Sequence, residues 1–151
     1  MYGIMFAGAA SFNQDIGDWD TGKVTELLRM FQGAHVFDQE IGQWNTGAVT
    51  RMIGMFDNAR SFNQNIGAWN TARVTEMTVM FLAAHSFNQD LSQWDTARVT
   101  SMALMFEDAP FNQDLCAWKD VVAPKTDMFA GTKCPFPSTP TPDEFCVSCS
   151  D

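Results

Sequence analysis

The sequence predicts a solenoid of stacked repeats, built from short parallel β-strands and short helical or 3₁₀ turns and closed at one end by a Cys/Pro-rich cap. Three observations predict it. A Met-Phe pair returns at Met5, Met30, Met55, Met80, Met105 and Met128, spaced by 25 residues four times and then by 23. Between these pairs the apolar residues fall into columns, which is the signature of a unit that covers its neighbour's apolar face. All four cysteines lie in the last third, among Pro135, Pro137, Pro140 and Pro142, where the columns stop.

The array therefore runs over residues 1–129 as about five 25-residue repeats, the first one truncated, and the cap over residues 130–151. Tyr2 stands in the place that Leu27, Met52, Met77 and Met102 fill later, so the chain opens inside a repeat and reads as an excised or mature fragment. The last step is short because one residue is missing where Pro110 directly precedes Phe111, and another between Trp118 and Val122.

Within a unit, "FNQDI" mixes polar and apolar residues and predicts a short strand, after which Gly17, Gly42 and Gly67 permit a bend. Asp20-Thr21-Gly22 and Asn45-Thr46-Gly47 are turn residues. "VTEMTVMFLAA", with Val74, Met77, Met80 and Phe81 apolar, predicts a brief strand running into a single helical or 3₁₀ turn. A unit of this content has the size of a leucine-rich repeat, and a right-handed parallel β-helix is the near alternative.

The candidate core consists of Phe12, Phe37, Phe62, Phe87 and Phe111, of Trp19, Trp44, Trp69, Trp94 and Trp118, and of the Ile/Leu, Val and Met-Phe columns between them. One unit buries too little apolar surface to offset the ordering of its own backbone, so units must stack. Gln14, Gln39, Gln64, Gln89 and Gln113 form a polar column beside Asn13, Asp38, Asn63, Asn88 and Asn112, and amides stacked in this way predict side-chain ladders between units. Thr21, Thr46, Thr71 and Thr96 make another column, Thr25, Thr50, Thr75 and Thr100 a further one, and Glu26, Arg51 and Glu76 alternate in sign down one more.

The formal charge of −9 and the pI near 4.4 argue against nucleic acid and anionic membrane surfaces. They fit a solubilising surface or attraction of a basic partner. No run approaches the roughly 18 apolar residues of a spanning helix. A catalyst needs unlike groups converging once, whereas a repeat spreads like groups along a line. His35 and His85 read as exposed loop residues, no Ser or Cys has a His at a telling spacing, and no glycine-rich phosphate loop occurs. No enzyme, catalytic residue, cofactor or resident metal is expected.

Asp15, Glu40, Asp90 and Asp114 align, with Asp20 and Asp95 nearby, but Asn65, Asn45 and Asn70 interrupt both columns, which leaves calcium a minor alternative. The threonine columns raise ice binding as another, against which Lys23, Arg73 and Arg98 break the neighbouring surface. Cys116, Cys134, Cys146 and Cys149 are disulfide candidates. Three complete pairings are open to them; Cys116–Cys134 is favoured, with Cys146–Cys149 the lesser bet because a C-x-x-C ring is tight, and a zinc site at Cys146-Val147-Ser148-Cys149 is disfavoured for want of a second Cys or His pair. Disulfides imply an oxidising, extracellular setting.

The pattern "MFxxAxxFNQDIGxWDTxxVTxMxxMF", repeated over residues 2–129, resembles the repeat of the BspA-like leucine-rich-repeat surface proteins in their 25-residue Trp-Asp-Thr subtype. The resemblance implies an elongated solenoid of parallel strands displayed outside cells and associated with adhesion and protein binding, with "KCPFPSTPTPDEFC" as its end cap and no catalytic residues. The chain itself shows neither a secretion signal nor an anchor.

The expected function is a surface module that binds a protein or a glycan through exposed columns, the alternative being a spacer within a larger surface protein. A monomer with a capped C-terminal end is expected. The binding face is unassigned: Asp18, Gln43, Ala68, Gln93 and Ala117 vary between units, as do Arg29, Gly54, Val79 and Leu104.

Overall fold

The computed structural model describes residues 4–136 and 138–149, and the places assigned above to Tyr2 and Pro137 lie outside them. Its units lie side by side with their backbones parallel. Isolated parallel bridges join Glu26 to Arg51, Arg51 to Glu76 and Glu76 to Ser101. Four N–H groups per unit donate to the next unit; in the second they run from Met52 to the Glu76 carbonyl (3.0 Å), Gly54 to Thr78 (3.0 Å), Phe56 to Met80 (2.9 Å) and Asn58 to Leu82 (2.7 Å). The same four donors recur from Leu27 and from Met77, and from Met102 they shift to the shorter last unit at Pro124, Thr126, Met128 and Ala130.

Regular secondary structure is sparse. "FNQDI" forms no strand: its Phe N–H closes a local turn, as from Phe62 to the Ala59 carbonyl, and the next N–H is taken by a side chain of the unit before, Asp38 N–H donating to the Asn13 side chain, Asn63 to Asp38, Asn88 to Asn63 and Asn112 to Asn88, at 2.9–3.0 Å. The helical turn predicted after the bridge residue is also absent. Arg29, Gly54, Val79 and Leu104 take φ of 49° to 58°, and Gly33, Asn58, Ala83 and Asp108 take φ of 52° to 69°. Two left-handed residues per unit break any helix and fold the segment into successive turns. Among the described residues the one 3₁₀ helix is Cys116–Trp118.

Inside the turns lie the aromatic columns. Phe31, Phe56, Phe81 and Phe106 stack on one another at 5.5–5.7 Å between ring centres, and each meets the Phe of its own unit's second column at 3.8–4.0 Å. Trp44, Trp69 and Trp94 run parallel at 6.3–6.4 Å, each indole N–H donating 3.1 Å into the previous unit, to the carbonyls of Ile16, Ile41 and Ile66. Phe37, Phe62, Phe87 and Phe111 are fully buried and Trp118 nearly so, whereas Phe12 is half-buried and Trp19 is 42% exposed at the first unit's open side. Gly42 marks a close approach, since a Cβ there would lie 2.5 Å from the Asn65 carbonyl oxygen.

The disulfides are Cys116–Cys149 and Cys134–Cys146, which corrects the pairing favoured from sequence. Cys134 is held over Phe111, through the Lys133 N–H to the Phe111 carbonyl, and so does not face Cys116. The tail then doubles back through antiparallel bridges Thr141–Glu144 and Glu144–Ser148, which carry Cys146 to Cys134 and Cys149 to Cys116.

Two outcomes are expected in urea unfolding. Trp69→Ala lowers stability by about 3–5 kcal/mol, and Trp19→Ala by well under half as much because that ring is partly in water already. Gly42→Ala lowers stability by about 1–3 kcal/mol, since the backbone of the next unit must move aside.

Candidate binding groove

The bend after each Ile places three rows of polar side chains along one side of the first three units. Between them opens a cavity of about 530 Å³ lined by Asp15, Gly17, Asp18, Gln39, Glu40, Gly42, Gln43, Gln64 and Asn65. Gln39 and Gln64 are fixed as walls by their amide nitrogens, which donate 2.9 Å to the Asn13 side chain and the Asp38 carbonyl of the unit before. The polar column is thus diagonal: each of these Gln residues bonds the preceding Asn or Asp rather than the preceding Gln, and Gln89 does the same to Asn63. Gln113 bonds its own neighbour Asn112 at 3.3 Å, and Gln14 is exposed.

Asp15 accepts the Gly17 N–H at 3.0 Å, closing the bend locally. Asp18, Glu40 and Gln43 make no hydrogen bond or ion pair among the described residues. Three carboxylates, Asp15, Asp18 and Glu40, therefore meet in one concavity that no cation lines. Such a wall attracts a cationic or multiply hydrogen-bonding ligand and repels anions.

The remaining acidic positions serve as turn locks. Asp20, Asp90, Asp95 and Asp114 each accept the N–H two residues on, at 2.8–3.1 Å. The Ser92 backbone N–H, and after it the Ser92 hydroxyl, holds the Asp90 carboxyl below its ordinary pKa. Among the described residues no three His, Cys, Asp or Glu side chains come together to hold a metal ion. His35 is half-buried with its ring 3.3 Å from the Asn58 amide, His85 is exposed, and neither faces a nucleophile. Arg51 lies between Glu76 (2.8 Å) and Glu26 (3.6 Å) on the exposed bridge face.

The sequence points here only through the aligned acidic column: Asp15 and Glu40, raised above as a minor calcium alternative, both line the groove, whereas Asp18 and Gln43 stand out only as positions that vary between units.

Asp90 gives a pH test. Its folded pKa is depressed, so its contribution is present above the unfolded carboxylate pKa and is lost as pH falls through the folded one. Asp90→Asn keeps the turn acceptor and removes that acid-side loss, while Asp90→Ala loses the turn at neutral pH as well. Thermal unfolding of both variants between pH 2 and pH 7 checks the difference.

The family model described as a Mycoplasma protein of unknown function, DUF285, matches residues 2–64 and 37–136. No curated protein and no solved structure matches the chain. No helix among the described residues is long and apolar enough to cross a membrane.

Proposed function

The chain belongs to the DUF285 family, and from that premise we propose that it is an extracellular or cell-surface binding module that recognises a protein through the acidic groove across its first three units. The observation that carries this reading is the groove itself: its walls are fixed by bonds between units, while Asp18, Glu40 and Gln43 project into it with their polar atoms unused. A rigid frame with free polar ends loses little side-chain and loop freedom on binding. The partner presents a basic segment, because three carboxylates and a net charge of −9 favour one electrostatically.

A protein is favoured over a glycan because the interior Trp rings are buried and offer no exposed aromatic platform for a sugar. The finer kinship with the BspA-like leucine-rich-repeat surface proteins, and with it a solenoid architecture, is supported by the 25-residue unit, the parallel bridges and the doubly cross-linked tail. Two disulfides favour an oxidising location.

Capture of extracellular matrix and surface proteins by the immobilised chain tests the reading. A partner carrying a basic segment is expected, bound more weakly as salt rises. The double variant Asp18→Lys/Glu40→Lys is expected to lose at least about tenfold in affinity with its unfolding midpoint unchanged, both residues being exposed. Absence of any partner, or equal capture by the variant, overturns the proposal and leaves the spacer reading.

A further inference from the structure

At one corner of the array, threonines tie each unit to the next. The Thr21, Thr46 and Thr71 hydroxyls donate to the Asn45, Asn70 and Asp95 carbonyls at 3.0–3.2 Å. A few residues on, the Thr50, Thr75 and Thr100 N–H groups donate back to the Thr25, Thr50 and Thr75 carbonyls at 2.7–2.8 Å. Both ties fail at the last step. Thr96 is only 5% exposed, yet its hydroxyl makes no hydrogen bond among the described residues, and neither does the N–H of Ala123, which follows Thr100 in its column.

The residue missing between Trp118 and Val122 is the cause, because the shortened corner no longer reaches back over Thr96. Val122 holds the column place of Val49, Val74 and Val99, which are buried, but is itself 98% exposed. The ladder resumes only where Met102 N–H donates to the Pro124 carbonyl at 2.9 Å. Before that bond the two units part around a cavity of about 480 Å³, within the roughly 300–1,000 Å³ of ligand sites. Trp94, Val99 and Val121 give it apolar walls, Val122 an apolar rim, and Thr96, Asp95 and Asp120 its polar groups. Asp95 spends one oxygen on the Ala97 N–H at 3.0 Å, and Asp120 makes no hydrogen bond or ion pair among the described residues. No described cation lines the cavity; the Lys125 ammonium is held outside it by the Val121 carbonyl and the Phe145 ring.

We propose that this opening binds a peptide segment of a protein partner in which an aliphatic residue stands next to a lysine or arginine. The site shares no residue with the groove of the first three units, and the inference does not rest on that groove. Thr96 O–H and Ala123 N–H both call for a carbonyl, the group that the interior units supply to the same threonine column, and a peptide backbone offers carbonyls in series. A buried hydroxyl left unpaired is costly, so a ligand that pairs it gains by removing that cost. The aliphatic side chain enters between Val99 and Val121, the space that the displaced Val122 leaves. The neighbouring cation meets Asp120 and the free oxygen of Asp95, which together repel anionic ligands.

Titration of the ¹⁵N-labelled, oxidised full chain with the blocked tripeptide acetyl-Val-Lys-Val-amide tests the proposal. The amide signals of Ala97, Val121 and Ala123 are expected to move to saturation. Peptides with Glu in place of Lys, or Gly in place of both Val, are expected to bind at least about tenfold more weakly, as is the wild-type peptide to Asp120→Lys or Thr96→Val. Thr96→Val is expected to leave the unfolding midpoint unchanged because its hydroxyl holds nothing, whereas Thr71→Val, whose hydroxyl holds the Asp95 carbonyl, lowers it. Gly42 and Gln64 signals read the groove of the first three units separately, so failure at one site leaves the other measured. Unmoved Ala97, Val121 and Ala123 signals overturn the proposal. So does equal binding by the Glu peptide or by either variant, and so does a Thr96→Val midpoint that falls as far as that of Thr71→Val.

Discussion

No unit of this protein can satisfy its own backbone. Local bonds within a unit only close tight turns, such as Ala59 N–H to the Phe56 carbonyl, and leave the alternate N–H groups of the segment from Met52 to Asn58 with nowhere to go but the next unit. An unpaired buried N–H or carbonyl costs about as much as a lost hydrogen bond. That requirement sets the period, because a donor finds its acceptor only if the next unit returns the same backbone path to the same height. Identical side chains are then brought over one another, and large flat rings profit most from such a repeat. The Phe and Trp columns follow from the backbone register as much as they reinforce it.

Where backbone carbonyls fall out of reach, side chains replace them. Asn13, Asp38, Asn63 and Asn88 each hold an N–H of the following unit, and the Thr21, Thr46 and Thr71 hydroxyls each donate to a carbonyl of the following unit at 3.0–3.2 Å. Thr50, Thr75 and Thr100 do the reverse, donating to the unit before. These polar columns stay uniform because each member fills a backbone vacancy, and Asn and Asp interchange because both offer the same acceptor oxygen. The alternation of Asp90 with Asn65, which speaks against a cation site, is what a turn acceptor tolerates.

Columns were legible in the sequence because burial selects residue type: Phe62, Ile66, Trp69 and Met77 are apolar wherever the register puts them inside. Backbone conformation was less so. A left-handed turn announces itself at Gly33 and Asn58, but Arg29, Val79 and Leu104 occupy the other left-handed place and carry no such mark, so their residue types suggest a helical turn where none forms. Cysteine pairing depended on how the tail folds back between Thr141 and Ser148, a path that residue types alone do not specify. The groove was hidden for a related reason, since its lining comes from three units and from a bend whose direction only the folded backbone fixes.

The shortened last unit shows what the array loses when its register slips. Trp44, Trp69 and Trp94 each anchor an indole N–H in the unit before, yet the Trp118 Nε1 is buried with no partner among the described residues. The two deletions that shorten this unit leave its ring stacked on Trp94 at 6.4 Å, tilted by 19° where the interior pairs are tilted by 2–3°. An orphaned buried donor costs about 1–3 kcal/mol. Cross-links fall at this same place: Cys116 begins the 3₁₀ helix that carries Trp118, and its bond to Cys149 pins this unit to the cap. Covalent closure thus sits where hydrogen bonding fails, while the interior units, which repeat without error, carry no cysteine.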